Sequence, residues 1–181
     1  MHSELITCLD KIVSYLSCGE AWHRRVANEC RKLGVRGMGR WHDAEAVGDQ
    51  KILSALQKEL RDYLKHAPAI DSTTRAKSEE VTMEGLKCFQ AHFNIWLDRE
   101  KQLCHEVTLA IGHMREVNIT IYRTLLDLKE EVQNEMFRLE HAFNSFQFAG
   151  WEGHDITVKS KWIHDYFEKD YDGGCIDFNI G

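Results

Sequence analysis

The chain of 181 residues holds a single proline, Pro68, and few runs in which apolar and polar residues alternate. Proline is the residue that most reliably ends a helix, and alternation is the mark of a half-buried strand. Their scarcity points to long helices and an all-α fold. Long hydrophobic runs are missing as well. Without about 18 consecutive apolar residues, and without a charged segment leading into an apolar one at the start, neither a membrane span nor export is expected, and the protein reads as cytoplasmic. Basic residues are not in excess: 23 Lys and Arg stand against 29 Asp and Glu, a formal charge of -6. A nucleic-acid surface needs a clustered basic face to neutralise phosphates, so DNA and RNA are not expected partners. The six cysteines (Cys8, Cys18, Cys30, Cys88, Cys104 and Cys175) include no C-x-x-C pair. Three of them share one helix at separations too large for pairing, and all read as reduced packing residues.

What the sequence does contain is helical periodicity. Leu5, Leu9, Ile12 and Leu16 step by four and three, the spacing of one buried helical face, and the pattern runs to about Leu33. The glycines in Gly34-Val35-Arg36-Gly37-Met38-Gly39 read as a turn. A second helix, from about Arg40 to His66, is carried by Leu53, Leu56, Leu60 and Leu64 and stops before Pro68. The connector from about Ala67 to Ser78 spans at most about 40 Å when extended, barely the length of that helix. From Glu79 to Phe148 a single helix would be about 100 Å long, so a hairpin is expected instead. Its helices cover about 80 to 115 and about 118 to 148, with Asn118 capping the second before Ile121. Gly150 and Gly153 end that helix. Asp155 or Thr157 then opens a short fifth helix carrying Trp162, Ile163, Tyr166 and Phe167, and Tyr171 to Gly181 reads as an extended arm. The expected organisation is a four-helix bundle over 1–150 and a C-terminal short helix and tail over 151–181.

Continuing each apolar stripe lands on polar residues. On the first helix Leu16 is followed by Glu20, His23, Ala27 and Cys30. On the second, counting back from Leu64 reaches Asp49, Glu45 and His42. Leu86, Phe89, Phe93 and Leu97 on the third lead to Glu100, Cys104 and Val107. Ile121, Leu125, Leu128 and Val132 on the fourth lead to Glu135 and Leu139, with Glu131 alongside. Glu100 and Glu135 lie equally far from a turn near Val117, and Glu20 and Asp49 nearly so from a turn near Arg36, so all four helices offer an acid to one layer. Burying carboxylates together costs several kcal/mol unless protons, cationic partners or a metal offset the charge. Carboxylates with imidazole suit divalent iron or manganese. For any single acid the alternative is a solvated place at the stripe's edge. His105-Glu106, His113 and His141 fall off the stripes and read as solvated.

Two segments, Leu97-Asp98-Arg99-Glu100-Lys101-Gln102-Leu103 and Lys129-Glu130-Glu131-Val132-Gln133-Asn134-Glu135-Met136-Phe137, followed by Phe148-Ala149-Gly150, resemble the ferritin-like superfamily, more particularly the non-haem bacterial ferritins. The likeness is strongest from about Met83 to Gly150. Glu20 stands where that family has its first-helix acid, and Trp162 to Asp170 where it has a short fifth helix. The family's second-helix Glu-x-x-His is replaced here by Glu45-Ala46-Val47-Gly48-Asp49, while a Glu-x-x-His occurs at Glu20 to His23 on the first helix. The resemblance implies a ferritin-like four-helix bundle with a short fifth C-terminal helix, assembled as a homo-oligomer. It implies a di-iron or di-manganese carboxylate site with Glu20, Glu45 or Asp49, Glu100, Glu131 and Glu135 as ligands, and with His23 as an additional ligand or a group that supports one. Such a protein binds Fe(II) and oxidises it with dioxygen or peroxide for iron storage or detoxification, a ferroxidase-type oxidoreductase. The altered second-helix motif, and five tryptophans whose rings suit interfaces, support a different reading: a ferritin-like assembly or interaction protein with a degenerate metal site.

Overall fold

A computed structural model describes residues 2–64, 88–114, 117–148 and 150. They form four helices: α1, His2–Lys32; α2, Arg36–Leu64; α3, Phe89–Met114; and α4, Ile119–Phe148. No strand occurs among the described residues. The expected connector, fifth helix and C-terminal arm lie outside them.

The turn between α1 and α2 is tighter than the glycine cluster suggests. Gly34 adopts a positive φ of 80°, the Gly34 N–H donates to the Arg31 carbonyl at 3.1 Å, and the Val35 N–H donates to the Cys30 carbonyl at 2.8 Å. These two bonds close the last carbonyls of α1, and buried Val35 and Cys30 pack in the same cluster. Gly37 and Gly39, expected in the turn, instead lie inside α2. A Cβ on Gly39 would come within 3.1 Å of the Ala27 carbonyl oxygen, so this glycine allows α2 to press against α1. At the other hairpin the Asn118 side chain accepts the N–H groups of Thr120 at 3.0 Å and Ile121 at 3.1 Å, the capping role its position indicated.

Cross-helix contacts give the directions. Lys11 pairs with Glu106 at 2.9 Å, Tyr15 donates to Gln102 at 2.7 Å, and Arg99 lies over Trp22. Residue numbers therefore rise on α1 as they fall on α3. Thr124 of α4 donates to Glu59 of α2, and Gly48 of α2 lies beside Glu131 of α4, so that pair is antiparallel too. With both hairpins antiparallel, α1 and α4 run one way and α2 and α3 the other. The chain leaves α2 at one end of the bundle and begins α3 at the opposite end, the order of a bundle with one long crossover.

Two apolar clusters fill the interior. One holds Leu9, Ile12, Leu16, Leu56, Leu60, Val107 and Leu125. The other, at the α1–α2 turn, holds Trp22, Met38, Trp41, Phe93, Trp96 and Leu139. Each such side chain contributes roughly 1.5–3 kcal/mol on burial. Glu20 on α1, His42, Glu45 and Asp49 on α2, Glu100 on α3 and Glu135 on α4 fall between these clusters, so a polar layer interrupts the apolar core.

The stripe of α4 is buried as expected from Ile121 to Leu139. That of α3 is rotated by about one residue: Trp96 and Leu103 are buried, whereas Leu97 and Cys104 are half-buried. Glu106, expected in solvent, is buried because Lys11 reaches across from α1 to neutralise it. Cys8, Cys18, Cys30, Cys88 and Cys104 are free thiols, and no described helix is long and apolar enough to cross a membrane.

Candidate metal centre

Helical spacing builds the site. Glu45 and Asp49 stand four apart on α2, and Glu131 and Glu135 four apart on α4, so each pair shares a face. With Glu100 from α3 and His23 from α1 they line one cavity, closed on its apolar side by Ile52, Leu128 and Val132. Its volume is about 20 Å³. That is room for one water or one ion. α1 makes the space with a glycine: a Cβ on Gly19 would stand 2.6 Å from Asp49 Oδ2 and 3.5 Å from Arg99 Nη2.

The carboxylates hold their protons strongly. Burial, then the Glu45 charge, pushes Glu100 up to about 8. Burial pushes Glu45 up to about 7, although hydrogen bonding with Glu135 and the Arg138 charge oppose it. Asp49 is raised well above the ordinary aspartate value by burial, then by Glu100 and Glu45. Glu135 is raised well above the glutamate value by burial, then by Glu45 and Glu100. Two carboxyl groups in contact, as Glu45 and Glu135 are, stay together only by sharing a proton. Glu131 stands at the mouth, exposed on its outer side, and burial of the rest raises it while Arg138 and Lys51 offset that. Three cations adjoin the acids. Arg99 packs on Trp22 with its guanidinium carbon 4.8 Å from the ring centre, Arg138 Nη1 lies 3.5 Å from Glu135 Oε2, and Lys51 acts on Glu131 at the rim.

Behind His23 lies a chain of buried imidazoles. His23 Nδ1 and His42 Nδ1 are 2.8 Å apart, and His42 Nε2 and His92 Nε2 are 2.9 Å apart. Burial holds His23 and His42 well below the ordinary histidine value, so both are neutral at physiological pH. A neutral imidazole has one donor and one acceptor, so the protons along this chain all point one way. When His23 donates to His42 and His42 to His92, the remaining nitrogen of His23, Nε2, carries a lone pair. In the reverse order it carries an N–H. Aromatic rings fix the chain in place: Trp96 stacks on His42 at 4.1 Å between centroids, and Trp22 sets an edge against His23 at 4.8 Å.

The structure thus brings together His23, Glu45, Asp49, Glu100, Glu131 and Glu135. It does not bring Glu20. That residue turns outward to pair with Arg24, which also reaches Gln50 at 3.1 Å. At the stripe's edge a long carboxylate keeps its water, and Gly19 faces Asp49 in its place. Sequence reasoning missed Arg99, His92 and the hydrogen-bonded role of His42. His42 lay on the traced stripe. His92 was detectable as the residue four before Trp96 and eight before Glu100 on the same face.

Carboxylate oxygens with one imidazole form a donor set of the kind that takes Fe(II) or Mn(II). Glu135 is 4% exposed, and its Oε1 has no hydrogen-bond partner among the described residues, as expected of an atom facing a cation. Among the same residues, no group of three or more His, Cys, Asp or Glu side chains is already arranged to hold a metal ion. Fold and site together define an all-helical bundle with an acid-lined interior cavity. No protein-family model matches the chain, nor does any curated protein.

Proposed function

We propose that this chain is a ferritin-like, cytoplasmic metal-binding protein whose interior cavity takes up divalent iron or manganese, and that iron bound there is oxidised by dioxygen or peroxide. The observation that carries the reading is the convergence of five carboxylates and His23, from all four helices, on one ion-sized cavity. Arg99, Arg138 and Lys51 offset only part of that charge. The single long crossover between α2 and α3, the connection of ferritin-like bundles, supports the same reading.

The residues divide the work. In this reading Asp49, Glu100 and the Nε2 of His23 bind the ion, while the Glu45–Glu135 pair releases a shared proton as the cation arrives. Trp41 and Trp96 wall the site against water. Bound iron would supply the electron that the oxidant accepts.

Metal content by plasma mass spectrometry on protein purified without chelator, with an anaerobic Fe(II) titration followed by air, tests the reading. Bound iron and an absorbance change on oxidation are expected. Iron retained stoichiometrically by the double variant Glu100→Ala, Glu135→Ala would sink the site assignment. A second reading, a ferritin-like homo-oligomeric assembly module without metal, is favoured by Phe137 and Phe148, which are 66% and 96% exposed on α4. It predicts an oligomer by light scattering and neither bound metal nor a reaction with Fe(II).

A further inference from the structure

We infer that the cavity takes one divalent ion rather than two, with the Arg99 guanidinium in the place that a second ion would need. The inference rests on the metal-site reading and follows from space, charge and donors.

Two-metal centres hold their ions roughly 3.5–4 Å apart, which requires two adjoining ion-sized positions. The cavity here, about 20 Å³, holds one. Beside it, where Gly19 leaves room, lies Arg99 Nη2, against the same glycine as Asp49 Oδ2. The guanidinium acts electrostatically on both Asp49 and Glu100, and Trp22 supports its face. A fixed positive charge thus already serves two of the acids.

Charge balance agrees. The acids lining the cavity are Glu45, Asp49, Glu100, Glu131 and Glu135, and Arg99, Arg138 and Lys51 are the cations that act on them. With these five acids ionised, the three cations leave two negative charges, which one divalent ion cancels. A second divalent ion would leave a buried surplus of positive charge, a state that costs several kcal/mol.

Nitrogen donors give the third argument. His42 has both ring nitrogens bonded, one to His23 and one to His92. It has none to offer a metal, and among the described residues the only cavity-lining imidazole, His23, supplies a single nitrogen.

The test is a titration of the full chain with Mn(II), read by equilibrium dialysis with metal analysis and by electron paramagnetic resonance. About one Mn(II) per chain, with the hyperfine signal of an isolated ion, is expected. About two per chain with a spin-coupled signal overturns the inference and leaves the metal-site reading standing. Failure to bind either Mn(II) or anaerobic Fe(II) overturns both. Arg99→Met keeps the length of the side chain and removes its charge, so it should admit a second ion, whereas Arg99→Lys should remain at one. A folded Arg99→Met protein that still takes one ion with unchanged affinity refutes the role of Arg99. If that variant does not fold, the wild-type stoichiometry still decides.

Discussion

Glu100→Gln is expected to stabilise the metal-free protein at alkaline pH and to do almost nothing at acid pH. The reason lies in the raised pKa of Glu100, from 4.5 to about 8, caused first by burial and then by the Glu45 charge. A carboxyl with a raised folded-state pKa binds its proton more tightly in the folded chain than in the unfolded one. Below pH 4.5 both states hold the proton and nothing is lost. Above that value the unfolded chain gives the proton up while the folded one retains it, so stability falls as pH rises, until about pH 8. At 1.36 kcal/mol per unit the whole window is worth at most about 5 kcal/mol. Glu100 keeps some solvent contact through the cavity and shares protons with its neighbours, so we expect about 2 kcal/mol. For a chain of this size that corresponds to a rise in Tm of about 4 to 8 °C at pH 8. Thermal melts by circular dichroism in chelator, at acid pH and at pH 8, measure it. Gln preserves the shape and removes the charge, so a variant equally or less stable at pH 8, or a gain independent of pH, refutes the reasoning. Excess divalent metal should reverse the order. At a hundredfold over Kd, a ligand adds about 2.7 kcal/mol to the protein that binds it, and Glu100→Gln forfeits much of this. An acid that costs the empty fold stability and repays it on binding is the expected signature of a functional group.

Metal affinity should rise steeply with pH, since Glu45 and Glu100, raised to about 7 and about 8, must lose protons to bind. Calorimetry in buffers of different ionisation enthalpy should show proton release on binding near neutrality, and affinity that is flat from pH 6 to 8 would contradict this. Gly19→Ala places a Cβ 2.6 Å from Asp49 Oδ2. The carboxylate must swing away, so metal affinity should fall by about tenfold or more, while alanine's better helix propensity, about 1 kcal/mol, keeps the Tm close to wild type. Affinity equal to wild type would place Asp49 outside the ligand set. His42→Phe keeps a ring against Trp96 but strands His23 Nδ1 and His92 Nε2, which the wild-type ring bridges at 2.8 and 2.9 Å. Urea unfolding should show a loss of about 3 kcal/mol, and a loss below about 0.5 kcal/mol would mean that the bonded chain contributes little.

The parts of this protein that were legible in the sequence are those in which a residue breaks a pattern carried by its own helix. Glu135 on the otherwise apolar face of α4 is such a violation: the regular stripe from Ile121 to Leu139 led to it, and the residue is buried. On α3 two stripes can be drawn, through Trp96 and Leu103 or through Leu97 and Cys104, because all four are apolar. The larger ring went inside, stacked on His42, and rotated the helix. On α1 a step of three or of four after Leu16 leads to Gly19 or to Glu20, and the room needed by Asp49 on the neighbouring helix chose the glycine. Gly37 and Gly39 looked like loop residues for a related cause, since a glycine needed for close helix approach has the same letter as one needed for a positive φ. What offsets the acids was harder to see. Arg99 reaches its acids from beside the stripe, with its guanidinium on Trp22, so its direction is set by a partner helix that sequence spacing does not contain. The His23–His42–His92 chain needs three helices at matching heights, and a hydrogen bond tolerates errors far smaller than the one-residue ambiguity of a stripe. Buried charge is therefore readable from one helix at a time, whereas its compensation is a property of the assembled bundle.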